Sequence, residues 1–424
     1  MDVINIINLG LGVAFLLCYF FQLMYMVIPF VKKLPEHKET KLHKYAFLIA
    51  ARNEAAVIET LIDSIRGQDY PSELFEIFVV ADNCTDNTAE LARGKGVTVY
   101  ERENKVERGK GYALNYLLHK LDEDYGEDAF DAFVVFDADN VLAPNYLTEA
   151  NKTFSDGYEV VTTYRNARNY GDSWVAAGSG LWFIRESKYL NGSRMRIGAC
   201  PQVSGTGFVF ANSIKKENGG WPFHTLTEDY EFTCHSVSKG KKFGYCEKAR
   251  FYDEQVTEFM PAMKQKLRWT KGGIQGFVKY WRTLFKGLFS KNFVASYDMM
   301  MSIAPAFLLS LLACIVNVVA AVVAICLGAG WIETLLSLGK LVLGAYVLLL
   351  TQSILCTATE WKHLQASSFK KVLYIFTFPF FLFTFIPCIF IALIRPVEWV
   401  ETPHTKLTEE QKKMIEEDIN SSAT

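Results

Sequence analysis

The sequence predicts an α/β domain with a mostly parallel sheet, set between helices that cross a membrane. Three observations carry this. Uncharged apolar runs long enough to span a bilayer stand at the start and in the last third of the chain. Between them, strand-like apolar runs alternate with helical patterns, the order that builds a parallel sheet with crossover helices. Charged clusters directly follow those runs, where open α/β sheets bind their ligands.

Composition agrees. Of 424 residues, 50% are hydrophobic and 21% charged, which suits a soluble body joined to membrane segments. A formal net charge of −2 excludes a nucleic-acid partner on electrostatic grounds, because such domains are strongly basic. The nine cysteines include no CxxC pair, so neither a zinc cage nor a disulfide framework is expected; they read as reduced thiols.

The first membrane segment lies within 1–34. No charge occurs from Val3 to Val31, and Lys32 and Lys33 follow. The run is too long and its start too acidic for a cleaved signal peptide. Three further spans fall within 298–396, at Met299 to Ile332, Leu341 to Thr359 and Val372 to Ile394. Lys362, Lys370 and Lys371 mark their connecting loop as cytoplasmic. The middle domain is then cytosolic and the N-terminus external, as in a plasma-membrane protein. Parity puts the polar tail, 397–424, outside, unless Pro379 and Pro387 turn the last segment into a re-entrant hairpin. Across 274–297, Ile274, Phe277, Val278, Trp281, Leu284, Phe285, Leu288 and Phe289 recur at helical spacing. That pattern fits a helix in the membrane surface, or one packed on the soluble core.

Within 35–273, buried strands are expected at Tyr45–Ala51, Phe75–Ala81, Phe133–Phe136 and Tyr158–Val161. Helices are expected at Ala55–Gly67, Asn87–Gly94 and Lys110–Lys120. Arg52-Asn53-Glu54 ends the first strand, Asp82 to Asp86 the second, and Asp137-Ala138-Asp139-Asn140 the third. Two carboxylates at the mouth of a buried strand need a cation, and Mg²⁺ or Mn²⁺ is commonly held by such a pair plus substrate phosphates. Asp82 and Asp86 serve either a nucleotide or the cap of the following helix. Thr227-Glu228-Asp229 and Gln265-Lys266-Leu267-Arg268-Trp269 complete the series.

Taken in this order, the DAD, TED and QKLRW motifs resemble those of the family 2 inverting glycosyltransferases. More narrowly they resemble the membrane-integrated processive members, the cellulose, chitin, hyaluronan and nodulation chitooligosaccharide synthases. The likeness covers roughly Tyr45 to Trp269. It implies a GT-A (Rossmann-like) domain in which Arg52, Glu54, Asp82, Lys110 and Asp137 hold the nucleotide sugar. Asp137 and Asp139 would hold the metal. Asp229 would be the general base with Glu228 beside it, and Gln265, Arg268 and Trp269 would hold diphosphate and acceptor. Gly205-Thr206-Gly207 falls where the family places a loop beside the acceptor sugar. The sequence departs from the family at Ala81, which stands where an aspartate is common.

The resemblance implies processive polymerisation from a UDP-sugar, glucose favoured over N-acetylglucosamine, with export of the glycan. The alternative is one-step transfer to a lipid carrier or membrane lipid. A third reading is a transporter or scaffold, for which Lys340 is the only clear intramembrane charge. The bilayer, a UDP-sugar and a glycan or lipid acceptor are the implied partners; accessory export proteins are not identifiable from the sequence.

Overall fold

The computed structural model describes residues 2–328, 331–398 and 404–422. Eight strands form one sheet: β1 (Tyr45–Ala51), β2 (Phe75–Asp82), β3 (Thr98–Arg102), β4 (Ala132–Asp137), β5 (Val141–Leu142), β6 (Val160–Ala167), β7 (Phe208–Ala211) and β8 (Phe243–Asp253). Their order is β3-β2-β1-β4-β7-β6-β8-β5. The β3-β2-β1-β4 half is parallel, whereas β7 runs antiparallel to both β4 and β6, so the sheet is mixed. β1 shows why these runs are continuously apolar. Tyr45, Phe47 and Ile49 point into one core with helices Ile58–Arg66 and Tyr146–Ser155, and Ala46 and Leu48 into the other with helix Lys110–Tyr125. A sheet covered on both faces has no polar side.

Four helices are long and apolar enough to cross a membrane: Val3–Val31, Phe293–Cys326, Ile332–Thr359 and Ser368–Ile394. Their bounds differ from expectation. Ile332 opens the third segment rather than closing the second, and Lys340 lies inside that segment. The QKLRW motif and the amphipathic stretch form one helix, Phe259–Gly287. On it, Leu284 is buried in the soluble core while Val278, Trp281 and Phe285 are exposed, so the helix serves both core and surface.

Ser368–Ile394 is not a plain crossing. It is two helices, Ser368–Phe383 and Phe385–Ile394. At its start Lys370 donates to Gly171 O (2.7 Å), and at its middle Lys266 Nζ donates to Phe381 O (2.7 Å). At its end Ala392 O accepts from Lys271 Nζ (2.7 Å). Both ends therefore meet the sheet domain or its helix Phe259–Gly287. The chain then returns to β8 and its neighbours: Tyr252 OH donates to Asp418 (2.7 Å), Arg168 to Thr405 O (2.7 Å), and the Thr405 N–H to Glu254 (2.9 Å). The described tail thus packs on the sheet domain, a contact that the parity argument, which put the tail on the opposite side, does not allow for.

Candidate active site

The residues singled out from sequence converge. Arg52, Glu54, Asp82, Lys110, Asp137, Asp139, Glu228, Asp229, Gln265, Arg268 and Trp269 all line one cavity of about 1820 Å³. The parallel half of the sheet explains the first six, since β1, β2, β3 and β4 all end on the same edge and Lys110 opens the helix that follows β3. Sharp turns follow two of these strands, with Asn53 and Asn83 in the left-handed region (φ 57° and 53°).

Asp82 is held by a residue the motifs did not reveal. Arg102, at the end of β3, donates Nη1 to Asp82 Oδ1 (2.6 Å), and both side chains are buried. A charge-assisted hydrogen bond of this length fixes the orientation of the carboxylate. Asp86 behaves as a cap, accepting from the backbone N–H of Thr88 (3.0 Å) and of Ala55 (3.2 Å).

The carboxylates after β4 already have cationic partners, contrary to the premise that they need a metal to balance them. Lys110 pairs with Asp137 and also donates to Gly205 O (2.8 Å). Asp139 accepts from Glu254 N (3.1 Å) and lies 3.7 Å from His404 Nδ1. His404 also stands 3.3 Å from Glu254 and 3.9 Å from Glu54. Burial alone would lower its pKa, but Asp139, Glu254 and Glu54 outweigh that and hold it up at about 10. Asp253, beside Asp139, is pushed up to about 6 by burial, a rise that its Arg165 partner only partly offsets. Its Oδ1 is buried without a hydrogen-bond partner among the described residues.

Among the described residues no group of three or more His, Cys, Asp or Glu side chains is set as a metal cage. The donor set nevertheless suits a divalent cation. Carboxylate oxygens from Asp137 and Asp139 and the orphaned oxygen of Asp253 are what Mg²⁺ or Mn²⁺ takes when phosphates supply the remaining positions.

Opposite them, Glu228 and Asp229 open the helix Glu228–Ser238. Gly205 (φ +82°) brings the 205–207 loop against Asp229, so near that a Cβ there would lie 3.6 Å from Asp229 Oδ2. Gly207 (φ +64°) admits no side chain at all, because its Cβ would meet Phe251 at 2.1 Å. Burial, and then the charge of Asp229, push Glu228 up to about 7; burial also raises Asp229. Because the folded pKa of Glu228 exceeds its ordinary 4.5, ionising it costs stability, from nothing below about pH 4.5 to the full amount above about pH 7. Glu228→Gln is therefore expected to stabilise the protein by on the order of 1–3 kcal/mol near pH 8 and by nothing at pH 4. Thermal unfolding in detergent across that range checks this, and a pH-independent difference would contradict it.

Gln265, Arg268 and Trp269 sit at i, i+3 and i+4 of one helix and so share its cavity face, while Lys266 turns to segment Ser368–Ile394. Trp269 packs edge-on against Phe183 (5.8 Å between centroids), which in turn lies under Arg165 (3.4 Å).

A mixed sheet with these strand-end carboxylates, facing a second acidic pair across a cavity, is the GT-A glycosyltransferase arrangement. The family model "Glycosyltransferase like family 2" matches residues 43–272, and the chain belongs to that family. Mannosyltransferase PcManGT from Pyrobaculum calidifontis, solved in complex with GDP-Man and Mn²⁺, superposes with TM-score 0.62 over 93% of this chain and 99% of its own, at 18% identity. Beta-monoglucosyldiacylglycerol synthase of Synechocystis is 27% identical over 241 residues, 55% of this chain and 49% of that protein. Glucomannan 4-beta-mannosyltransferase 1 of rice is 24% identical over 243 residues, 54% of this chain and 45% of its own. The match thus spans about half the length of these curated relatives. The chain is an enzyme, a glycosyltransferase, which removes the transporter and scaffold reading.

Arg102, Arg165, Asp253 and His404 escaped the sequence reading. Asp253-Glu254 obey the strand-end rule that revealed Asp137, but Glu247, Lys248 and Arg250 interrupt the apolar run of β8 and hide it. His404 carries no local signal.

Proposed function

We propose that the protein transfers one sugar, glucose in our reading, from a UDP-sugar to a hydroxyl of a membrane lipid, with inversion, on the cytosolic face of the plasma membrane. One observation carries this reading over polymerisation: the cavity does not stop at Trp269. It continues between the membrane helices past Tyr19, Leu16, Gly12 and Leu9 of the first, Val318 and Cys314 of the second, and Leu348, Leu341 and Leu338 of the third. Small-ligand pockets enclose roughly 300–1,000 Å³. A cavity of about 1820 Å³ leaves room for an acceptor beyond the nucleotide sugar. The wall of the membrane part is chiefly apolar. Each sugar hydroxyl drawn through it would lose hydrogen bonds at about 1–3 kcal/mol, whereas acyl chains lose nothing. The likeness to a monoglucosyldiacylglycerol synthase supports the same acceptor class. The rice mannosyltransferase and the Trp269 platform favour the second reading, a processive synthase.

In this mechanism Asp82, oriented by Arg102, accepts an N–H of the base, and Arg52 and Glu54 complete the nucleotide pocket. Lys110 and Arg268 oppose the charge of the diphosphate, Arg268 as a planar fork. Asp137, Asp139 and His404 would hold Mg²⁺ or Mn²⁺, which when bound neutralises the leaving diphosphate. His404 must lose its proton to serve as a ligand. Asp229 takes the proton of the acceptor hydroxyl from the face opposite the leaving group. Glu228 near neutrality shares a proton with its environment and relieves repulsion beside Asp229. Trp269 gives a flat apolar face to the sugar.

The test supplies purified protein with excess UDP-glucose, Mn²⁺ and diacylglycerol in mixed micelles, and follows product by mass spectrometry. A single hexose per lipid is the expected product. Chains that lengthen with time would establish the processive reading instead.

A further inference from the structure

Where the catalytic chamber meets the membrane cleft, three elements bring together Gln22 of the first membrane helix, Arg185 at the head of segment Arg185–Asn191, and Gln352 of helix Ile332–Thr359. All three line the cavity and are 8%, 6% and 7% exposed. Arg185 donates Nη2 to Gln22 Oε1 (2.5 Å), Nε to Gln352 Oε1 (2.7 Å) and Nη1 to Glu186 Oε1 (2.8 Å). Its guanidinium also lies 5.6 Å from the Trp182 ring. Glu186 neutralises the charge, so Arg185 is poorly placed to attract an anion. What it does is orient two carboxamides. With both Oε1 atoms turned to the guanidinium, each side chain has only its Nε2 donors left to offer. Among the described residues neither Nε2 has a hydrogen-bond partner, and neither is sealed from the cavity.

A pair of donors with no acceptor to spare, at the head of an apolar cleft, selects a ligand group that only accepts hydrogen bonds and is attached to hydrocarbon. We infer that Gln22 and Gln352 form a subsite for the ester carbonyls of a two-chain glycerolipid. Its chains lie in the cleft between the first three membrane helices, and its free glycerol hydroxyl reaches toward Asp229. The far end of the cleft supports this. Asn8 donates to Asn317 Oδ1 and to Ser337 Oγ (both 2.9 Å), and Asn317 donates back to Asn8 Oδ1 (2.8 Å), all buried. This triad ties the three helices together. On the first helix the 14 residues from Asn8 to Gln22 rise about 21 Å, against about 15 Å for half a hydrocarbon core. The space suits an acyl chain that begins at the carbonyl subsite.

The inference rests on the lipid-acceptor reading, and its test separates the two. Full-length protein in mixed micelles receives UDP-glucose and either 1,2-dioleoylglycerol or 1,2-di-O-oleylglycerol, an ether lipid of equal length that lacks both carbonyls. The wild type is expected to favour the ester about tenfold in kcat/KM, as lost hydrogen bonds of ordinary strength imply. Gln22→Glu and Gln352→Glu each keep an oxygen toward Arg185 and remove the amide donor. Both are expected to shrink the preference severalfold while the KM for UDP-glucose stays unchanged, which also verifies the fold. Equal use of the two lipids by wild type overturns the subsite and leaves the lipid-acceptor reading standing. So does an undiminished preference in both variants. If wild type glycosylates neither lipid but elongates a glycan, the lipid-acceptor reading itself has failed.

Discussion

Asp229→Asn is expected to lower sugar transfer about 100-fold or more while UDP-sugar binding stays close to wild type. The substitution preserves shape and hydrogen-bonding capacity but removes the only proton acceptor of the pair that lies against the 205–207 loop. Among the described residues the Asp229 carboxylate has no hydrogen bond to Lys110, Asp137 or Asp139, so the substitution leaves the hydrogen bonds of the donor side in place and alters only the field that Lys110 and Arg268 feel. Isothermal titration with UDP, alongside transfer to lipid by mass spectrometry, separates binding from chemistry. Near-normal transfer would move the base to another residue, with Glu228 the next to replace.

Asp139→Asn carries the second large effect. Asp139 is buried, anchors the Glu254 N–H and faces His404. The substitution removes the side chain's negative charge, and with it a carboxylate oxygen of the proposed cation site and one of the carboxylates that hold His404 protonated. Transfer is expected to fall by on the order of several kcal/mol of transition-state stabilisation, in line with lost metal catalysis. EDTA should abolish wild-type activity, and Mg²⁺ or Mn²⁺ should restore it. Mn²⁺ binding followed by paramagnetic resonance gives a readout independent of turnover, and it should weaken in the variant. Full turnover in chelator would end the metal assignment.

How far the sequence could be read depended on range. The strand at Tyr45–Ala51 was legible to the residue because a strand buried on both faces is a continuous apolar run. Gln265, Arg268 and Trp269 were legible because a helix face repeats at i, i+3 and i+4. β8 was not. Three residues, 247–249, bulge out between its pairings with Thr163 and Tyr164, and they place Glu247 near Lys188 (3.3 Å) and Arg196 (3.7 Å). Those partners are invisible locally, so no strand was expected there.

By itself the sequence determined the sheet's apolar runs, the long apolar helices and the strand-end carboxylates, because each is a property of composition and period along a short stretch of chain. The tertiary structure decided what faces what. Arg102 secures Asp82, the chain after the last membrane segment brings His404 to Asp139, and Lys266 with Lys271 holds that segment against the domain, so the tail returns to it. It also extended the cavity from the strand-end carboxylates to the space between the long apolar helices, and on that extension the proposed lipid acceptor rests. These contacts join groups far apart along the chain, and packing selects such pairings while local periodicity carries no record of them.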